Sequence, residues 1–310
     1  TRDCAGINAA IRAVVRTACY FNIEVTGIKR GYEGLINGEL LPFNKHSVSG
    51  IINLGGTILK TTRPKRFLSR SGQELAAKTI RNHNIDGIIV IGGNGSLTGA
   101  HILATEFNIP TIGIPATIDN DINCVSLSLG ADTAVNVAMD ALDKIRDTAT
   151  SMERIFVVEV MGRDCGYIAL QVALAGGCEE VLVPESEINL ENICGEIARG
   201  NKEGKVSWII VVAEGKSRAI DIADTISVKT GLETRVAVLG HIQRGGRPTA
   251  IDRIMAARLG YYAVEVIKNG ESDKCVYLKD NKPAIIPLEI AIQPKKIEVN
   301  AIYKLIKILT

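Results

Sequence analysis

Short apolar runs alternate along the chain with stretches whose apolar residues return every third or fourth position. The runs at 23–28, 87–93, 110–115, 154–160, 180–184 and 206–215 predict β-strands. Several are apolar on both faces, the pattern of a parallel strand covered by helices. The intervening stretches predict helices. Residues 8–21 place Ile11, Val14, Val15 and Ala18 on one face, and 133–147 do the same with Val135, Ala138, Met139 and Leu142. Strand, glycine turn and helix, repeated, predict an α/β fold with parallel sheets. No tandem repeat or low-complexity linker interrupts the pattern.

Composition narrows the picture. The chain has 310 residues, enough for two domains or one large one, and its 46% hydrophobic content supplies a substantial core. Lys and Arg total 36 against 34 Asp and Glu. That near-balance gives no footprint for nucleic acid or an acidic membrane, so any basic site must be a local cluster. The seven Cys form no CxxC pair and no Cys/His ligand spacing, which excludes a recognisable zinc site and fits a reducing compartment. No run reads as a membrane span or signal peptide. The expectation is a soluble cytoplasmic protein.

In open parallel sheets, ligands bind outside the carboxyl ends of the strands. The loops at those ends are therefore the candidates for chemistry. IGGNGSLTGA (91–100) follows the run GIIVI. Its Gly92, Gly93 and Gly95 allow a tight turn and close backbone approach, and Ser96 with the following helix start offers N–H groups to an anion. An ordinary glycine-rich turn has the same composition. The motif lacks GK[ST], so it is no Walker A loop. PATIDNDIN (115–123) places Asp119 and Asp121 around an Asn where a buried strand ends. A plain turn accounts for them, and so does a functional carboxylate pair.

Four other loops add to these. TRDCAGIN (1–8) has Asp3, Gly6 and Asn8, the tail of a further glycine loop or a frayed terminus. GGTILKTTRPKRF (55–67) supplies Arg63, Lys65 and Arg66, which also suit a solvated turn. VMGRDCGYIAL (160–170) puts Gly162 and Arg163 at a turn into a helix, where the guanidinium fork matches a phosphate. Residues 233–253 gather Arg235, His241, Arg244 and Arg247 among glycines, a set that favours an anion site over a lone structural His. Phosphoryl transfer needs such a collection: cradled phosphates, a metal held by carboxylates or water, a base for the hydroxyl, and fixed cations on the moving charge.

IGGNGSLTGA, PATIDNDI, VVEVMGR and LGHIQRGG, in this order, resemble the 6-phosphofructokinase family. The match runs from Asp3 nearly to the C-terminus. TIDND with MGR and GHIQRGG is highly specific, whereas the glycine motif alone is shared with diacylglycerol and NAD kinases. The resemblance implies an α/β fold of two three-layer α/β/α domains with mainly parallel sheets. The nucleotide-binding domain is expected at 1–130 plus about 243–293, and the sugar phosphate-binding domain at about 131–242 plus 294–310.

The implied reaction is transfer of the γ-phosphoryl of MgATP to the 1-hydroxyl of fructose 6-phosphate, a step of glycolysis. By resemblance Asp119 is the general base, Thr117 helps position the phosphoryl group, and Arg163 stabilises the transferring charge. Asn94 and Asp121 lie on the Mg2+ side. Arg63, Gly93, Asn94, Gly95 and Ser96 match the nucleotide side. Thr117, Ile118, Asp119, Met161, Gly162, Arg163, Glu214, His241 and Arg244 match the sugar phosphate side. Arg154 and Arg235 match arginines that reach the 6-phosphate from a neighbouring subunit, so a homo-oligomer, in this family usually a tetramer, is implied. Arg12, Arg16, Arg146, Glu179 and Lys205 match positions that bind ADP or phosphoenolpyruvate as effectors. Arg12 and Arg16, four residues apart on one helix, share a face.

Some positions depart from the family pattern. Asn94 stands where many members have Asp, keeping an oxygen and losing a charge. Lys60 replaces a common Gly. Among effector positions, Lys45 stands for an Arg, Gly50 for an Asp and Glu203 for a basic residue. Thr1 and Arg2 occupy the place of a Gly-Gly pair and the strand expected before them is missing, so an incomplete or divergent N-terminus is expected. Pyrophosphate-using relatives typically carry Asp at the position of Gly95 and Lys at that of Ala116. The small residues here favour ATP, with a pyrophosphate-dependent enzyme and a non-catalytic sugar phosphate-binding subunit as the alternatives.

Overall fold

The structure, a computed structural model, describes residues 3–63, 65–187 and 189–310. Helix α1 (Ile7–Tyr20) leads to β1 (Val25–Ile28), α2 (Gly31–Asn37) and β2 (Leu40–Phe43). Next come α3 (Arg70–Asn82), β3 (Ile88–Gly92), α4 (Asn94–Phe107) and β4 (Thr111–Pro115). Then α5 (Ala131–Met152), β5 (Ile155–Val160), α6 (Tyr167–Ala175) and β6 (Glu180–Leu182) follow. They are succeeded by α7 (Leu190–Lys202), β7 (Trp208–Ala213), α8 (Ala219–Thr230) and β8 (Thr234–Val238). The last elements are α9 (Ala250–Lys268), β9 (Lys274–Lys279), β10 (Lys282–Pro287), α10 (Leu288–Ala291) and α11 (Asn300–Leu309). Two units divide the chain: Thr1–Thr133 with Arg244–Lys295, and Ala134–Gln243 with Lys296–Thr310.

The first unit contains a four-stranded sheet of order β10-β9-β4-β3 and a two-stranded sheet of β1 and β2. β3 and β4 run parallel from the Ile88–Thr111 pair to the Gly92–Pro115 pair. Their carboxyl ends are therefore level, and the loops that leave them start side by side. β4 is buried along its whole length, which its sequence TIGIP anticipates. Around the sheet, Leu35, Ile80, Leu103 and Phe107 pack with Tyr32 and Phe67, while Leu97, Ile122 and Leu288 pack on the β9 side.

The second unit holds a sheet of order β6-β7-β5-β8, parallel throughout. β7, sequence WIIVVA, is wholly buried. Ile155, Val157, Ile210 and Val212 pack there against Ile193 and Ile197 of α7 and Ile222 and Ile226 of α8. β5 pairs with β7 up to Val160–Ala213 and with β8 up to Glu159–Val238. The loops after these three strands leave from one edge of the sheet.

Two expectations need correcting. The run 23–28 forms no parallel strand: β1 pairs antiparallel with β2. Glu24 and Thr26 alternate with apolar residues there, and the strand is correspondingly half exposed, which suits an antiparallel ribbon. Residues 233–253 are more than one glycine-rich loop. They contain β8, a 3₁₀ turn at Gly240–Arg244 and the start of α9. Arg235 interrupts the apolar run and hides the strand from a hydrophobicity reading, as lysines do in β9 and β10.

The starts of α5 and α9 cap each other. Asp252, fully buried in the first turn of α9, accepts the N–H groups of Gly130 (2.9 Å) and Thr133 (3.0 Å) and the Thr133 hydroxyl. In return Thr249 N–H donates to Thr133 Oγ1 at 3.1 Å. Burial pushes the Asp252 carboxyl up from its ordinary value, against the pull of these bonds. Among the described residues no helix is long and apolar enough to cross a membrane.

Candidate active site

In the first unit the site is built where β3 and β4 end. Gly93 sits in extended backbone and α4 begins at Asn94, with Ser96 and Leu97 N–H turning back to Gly93 O at 2.9 and 3.1 Å. Among the described residues no side chain caps this helix, and its positive end is a suitable place for an anion. A Cβ on Gly93 would come within 3.3 Å of Thr117 Cβ, so glycine lets the two loops meet. A Cβ on Gly95 would meet nothing within 4 Å. Behind the loop, Tyr32 stacks on Phe67 and its hydroxyl donates to Ser96 O at 2.6 Å. Ser96 Oγ is buried and makes no hydrogen bond among the described residues.

The loop after β4 is organised by the residue between the two aspartates. Asn120 adopts φ 50°, the left-handed region that Asn tolerates well. Its Oδ1 accepts Ser128 N–H (2.9 Å) and its Nδ2 donates to Ser126 O (3.0 Å). Ser128 Oγ donates to Thr117 O (2.7 Å), and Lys295 Nζ donates to Asn120 O (2.8 Å) and Val125 O (2.7 Å). Thr117 Oγ1 accepts Asp119 N–H at 3.2 Å. Asp119 is thereby held on a bonded loop and is buried, with only 3% of its surface exposed. Ile118 points into the core, so any ligand contact it makes is through its backbone. The two loops are tied by Asn94 Nδ2, which donates to Asp121 O at 3.2 Å.

The basic residues of the first unit divide. Arg66 bonds Glu33 (3.0 Å) and Asn37 (2.8 Å), while the exposed Arg63 projects from the surface. Lys60 stands at φ 59°, a left-handed conformation that glycine adopts without steric cost. Arg244 is buried, donates to Asp3 O at 3.3 Å, and keeps Nη2 without a hydrogen bond among the described residues. Thr1 and Arg2 lie outside the described residues.

In the second unit the chain from Met161 to Gly166 is pinned by three side chains. Gln243 Oε1 accepts Met161 N–H (2.8 Å) and Glu214 Oε1 accepts Gly162 N–H (3.3 Å) and Arg163 N–H (3.0 Å). Glu185 Oε1 accepts Gly166 N–H (2.9 Å), and Cys165 N–H closes onto Gly162 O (3.0 Å). This holds Gly162 at φ 146° and Arg163 at φ 53°. A Cβ on Gly162 would lie 2.4 Å from Cys165 O, so only glycine fits. Arg163 presents an exposed side chain, Met161 is buried, and His241 is exposed on the 3₁₀ turn. Glu214, expected from the resemblance to meet a sugar, spends one oxygen on the loop itself.

Arg154 and Arg235 come together on Glu233. Arg154 Nε lies 2.9 Å from Glu233 Oε2 and Arg235 pairs with Oε1. The Arg154 guanidinium, with Arg235 beside it, holds the Glu233 carboxyl below its usual range. Three of the expected effector residues also gather. Lys205 Nζ is 3.1 Å from Glu179 Oε1 and lies over the Trp208 ring, and Arg146 donates to Gly177 O at 3.0 Å. Glu179 Oε2 accepts Ile209 N–H at 2.7 Å. Arg12 and Arg16 are on α1 in the first unit, the former half-buried and the latter exposed.

A family model for phosphofructokinase matches residues 1–267. The chain belongs to the phosphofructokinase family. It is similar to a protein of Thermotoga neapolitana described as an ATP-dependent 6-phosphofructokinase, 46% identical over 308 residues, 99% of this chain and 97% of the relative. A protein of the same description from Clostridium botulinum is 49% identical over 288 residues, 93% of this chain and 89% of the relative. The solved phosphofructokinase of Saccharomyces cerevisiae superimposes with a TM-score of 0.88 at 33% identity, over 94% of this chain and 44% of that one. The chain thus spans under half the length of the yeast protein.

The resemblance implied Mg2+, and the residues present fit a divalent cation. Asn94 Oδ1 and Asp121 Oδ1 are both buried and make no hydrogen bond among the described residues. Two hard oxygens on two loops already joined to each other suit Mg2+, which takes one or two protein oxygens, several waters and phosphate oxygens. Sequence reading missed four residues that organise the site. Asn120 lay in plain view between the aspartates, and Gln243 lay inside GHIQRGG. Glu233 stood two positions before Arg235, and nothing local marked Glu185.

Proposed function

We propose that the chain transfers the γ-phosphoryl group of MgATP to the 1-hydroxyl of fructose 6-phosphate, giving fructose 1,6-bisphosphate and ADP. The observation that carries this reading is the junction of the two first-unit loops, where an uncapped helix start faces a loop that buries Asp119. Asp119 takes the proton of the sugar hydroxyl, a role that needs a carboxylate within hydrogen-bond reach. Thr117 positions the phosphoryl group, and Gly93, Gly95, Ser96 and Arg63 bind the nucleotide. Asn94 and Asp121 would hold Mg2+, which would supply charge neutralisation for the nucleotide phosphates. Arg163 stabilises the charge that develops on the transferring group.

In this reading the first unit is the nucleotide-binding domain and the second the sugar phosphate-binding domain. Met161, Gly162, Glu214, His241 and Arg244 take the sugar phosphate. Arg154 and Arg235 serve the 6-phosphate of a neighbouring subunit in a homotetramer, and Arg12, Arg16, Arg146, Glu179 and Lys205 contribute to effector sites for ADP or phosphoenolpyruvate between subunits. The enzyme would act in the cytoplasm. ATP is favoured over pyrophosphate because the space at Gly95 is open to a longer phosphate chain, and because Ala116 is buried where a lysine would need repacking. The reading is tested by Asp119→Ser. Turnover should fall at least about 100-fold, while equilibrium binding of fructose 6-phosphate persists. Retained turnover would remove Asp119 as the base.

A further inference from the structure

Arg163 has an unusual backbone for a residue with a job to do. At φ 53° it lies in the left-handed region, which is strained for a non-glycine residue. Such a conformation persists only where the surroundings over-determine it. Here the surroundings are side-chain acceptors: Glu214 on the N–H groups of Gly162 and Arg163, Glu185 on that of Gly166, and Gln243 on that of Met161.

Gln243 differs from the other two. It is neutral and 1% exposed, and it comes from the 3₁₀ turn that also carries His241 and Arg244. Its 2.8 Å bond to Met161 N–H joins that turn to the loop of Arg163. Glutamine is rarely buried so completely, and its Nε2 makes no hydrogen bond among the described residues. A hydrophobic side chain of similar size would avoid that unsatisfied donor. What the glutamine supplies in exchange is the acceptor for Met161.

We propose that Gln243 is a positioning residue for phosphoryl transfer. Through Met161 N–H it fixes the start of the loop whose left-handed turn aims Arg163. The inference rests on the phosphofructokinase reading of Arg163. Gln243 itself need touch no substrate. Its loss lets the loop relax towards ordinary dihedrals and displaces the guanidinium, and a displacement of about 1 Å at a reacting group costs on the order of 100-fold in rate.

The test uses the full chain and compares steady-state turnover with MgATP and fructose 6-phosphate for six proteins. They are the wild type, Gln243→Met, Gln243→Asn, Gln243→Glu, Arg163→Ala and the Arg163→Ala/Gln243→Met double variant. Methionine keeps the volume and removes the acceptor, asparagine withdraws it, and glutamate retains it. The expected result is a kcat lowered roughly 10–100-fold in the methionine and asparagine variants, with KM for fructose 6-phosphate within about 3-fold. Glutamate should recover most of kcat. In the Arg163→Ala background, Gln243→Met should cost nothing further. Multiplying losses in the double variant, a raised KM at unchanged kcat, or a glutamate variant as slow as the methionine one would each overturn the proposal. The asparagine variant carries the test if methionine prevents folding. A wild type that does not turn over would instead defeat the underlying reading.

Discussion

Asn120 Oδ1 accepts the backbone N–H of Ser128 at 2.9 Å. The polar residue between Asp119 and Asp121 is therefore a structural one. It folds residues 117–128 back on themselves so that a carboxylate can be buried on a loop without that loop collapsing into the core.

Asn120→Ala should be costly for this reason. It strands the buried Ser128 N–H and forces alanine into a left-handed backbone, together about 2–4 kcal/mol. Asn120→Gly removes the same bonds but relieves the backbone, and should recover about 1 kcal/mol of that. Urea unfolding of the two variants measures the difference. Equal stability of both would show that the dihedral is not what asparagine is there for.

Gly95→Asp should leave the fold intact, because the added Cβ meets nothing within 4 Å, and stability should change by no more than about 0.5 kcal/mol. Its charge would oppose the nucleotide phosphates. We expect ATP turnover to fall roughly 100-fold or more, the scale of electrostatic terms in phosphate loops. Unchanged kinetics with ATP would take the glycine loop out of the account.

The C-terminal helix predicts a pH dependence. Lys307 of α11 lies 2.8 Å from both Glu180 and Glu196, and Tyr303 donates to Glu180 at 3.1 Å. Burial pulls the Lys307 ammonium down, and the bonds to the two glutamates more than offset it, leaving it raised above its ordinary 10.5. The folded protein then holds this proton more tightly than the unfolded chain. The stabilisation is complete below pH 10.5 and drains away as pH rises through the folded value. Lys307→Met should flatten the alkaline limb of a thermal-stability profile above about pH 10. A limb as steep as the wild type's would place the effect elsewhere.

The elements most legible in the sequence were those with one dominant signal. β4 and β7 are apolar on both faces and wholly buried, and their runs announced them. β1 lies in a run that alternates polar and apolar residues, and it pairs antiparallel. β8, β9 and β10 were hidden because charged residues share their strands. For the site, residue types with chemistry of their own were visible: Asp119, Arg163, His241 and the glycines of 92–95. Residues whose work is a hydrogen bond to distant backbone were not. Glu185 meets Gly166 and Gln243 meets Met161 across 19 and 82 positions, and no local pattern encodes such a meeting. The clasp of Arg154 and Arg235 on Glu233 depends on β5 and β8 being neighbours, which is a property of the sheet order.

The proposed phosphoryl transfer is tested most directly by ADP release from MgATP in the presence and absence of fructose 6-phosphate, with Mg-pyrophosphate assayed in parallel. Sugar phosphate-dependent turnover with ATP, and none with pyrophosphate, is the expected result. Turnover with pyrophosphate alone would contradict the reading of Gly95 and Ala116. Bound sugar phosphate without turnover from either donor would contradict the assignment of Asp119 and Arg163 to a working site.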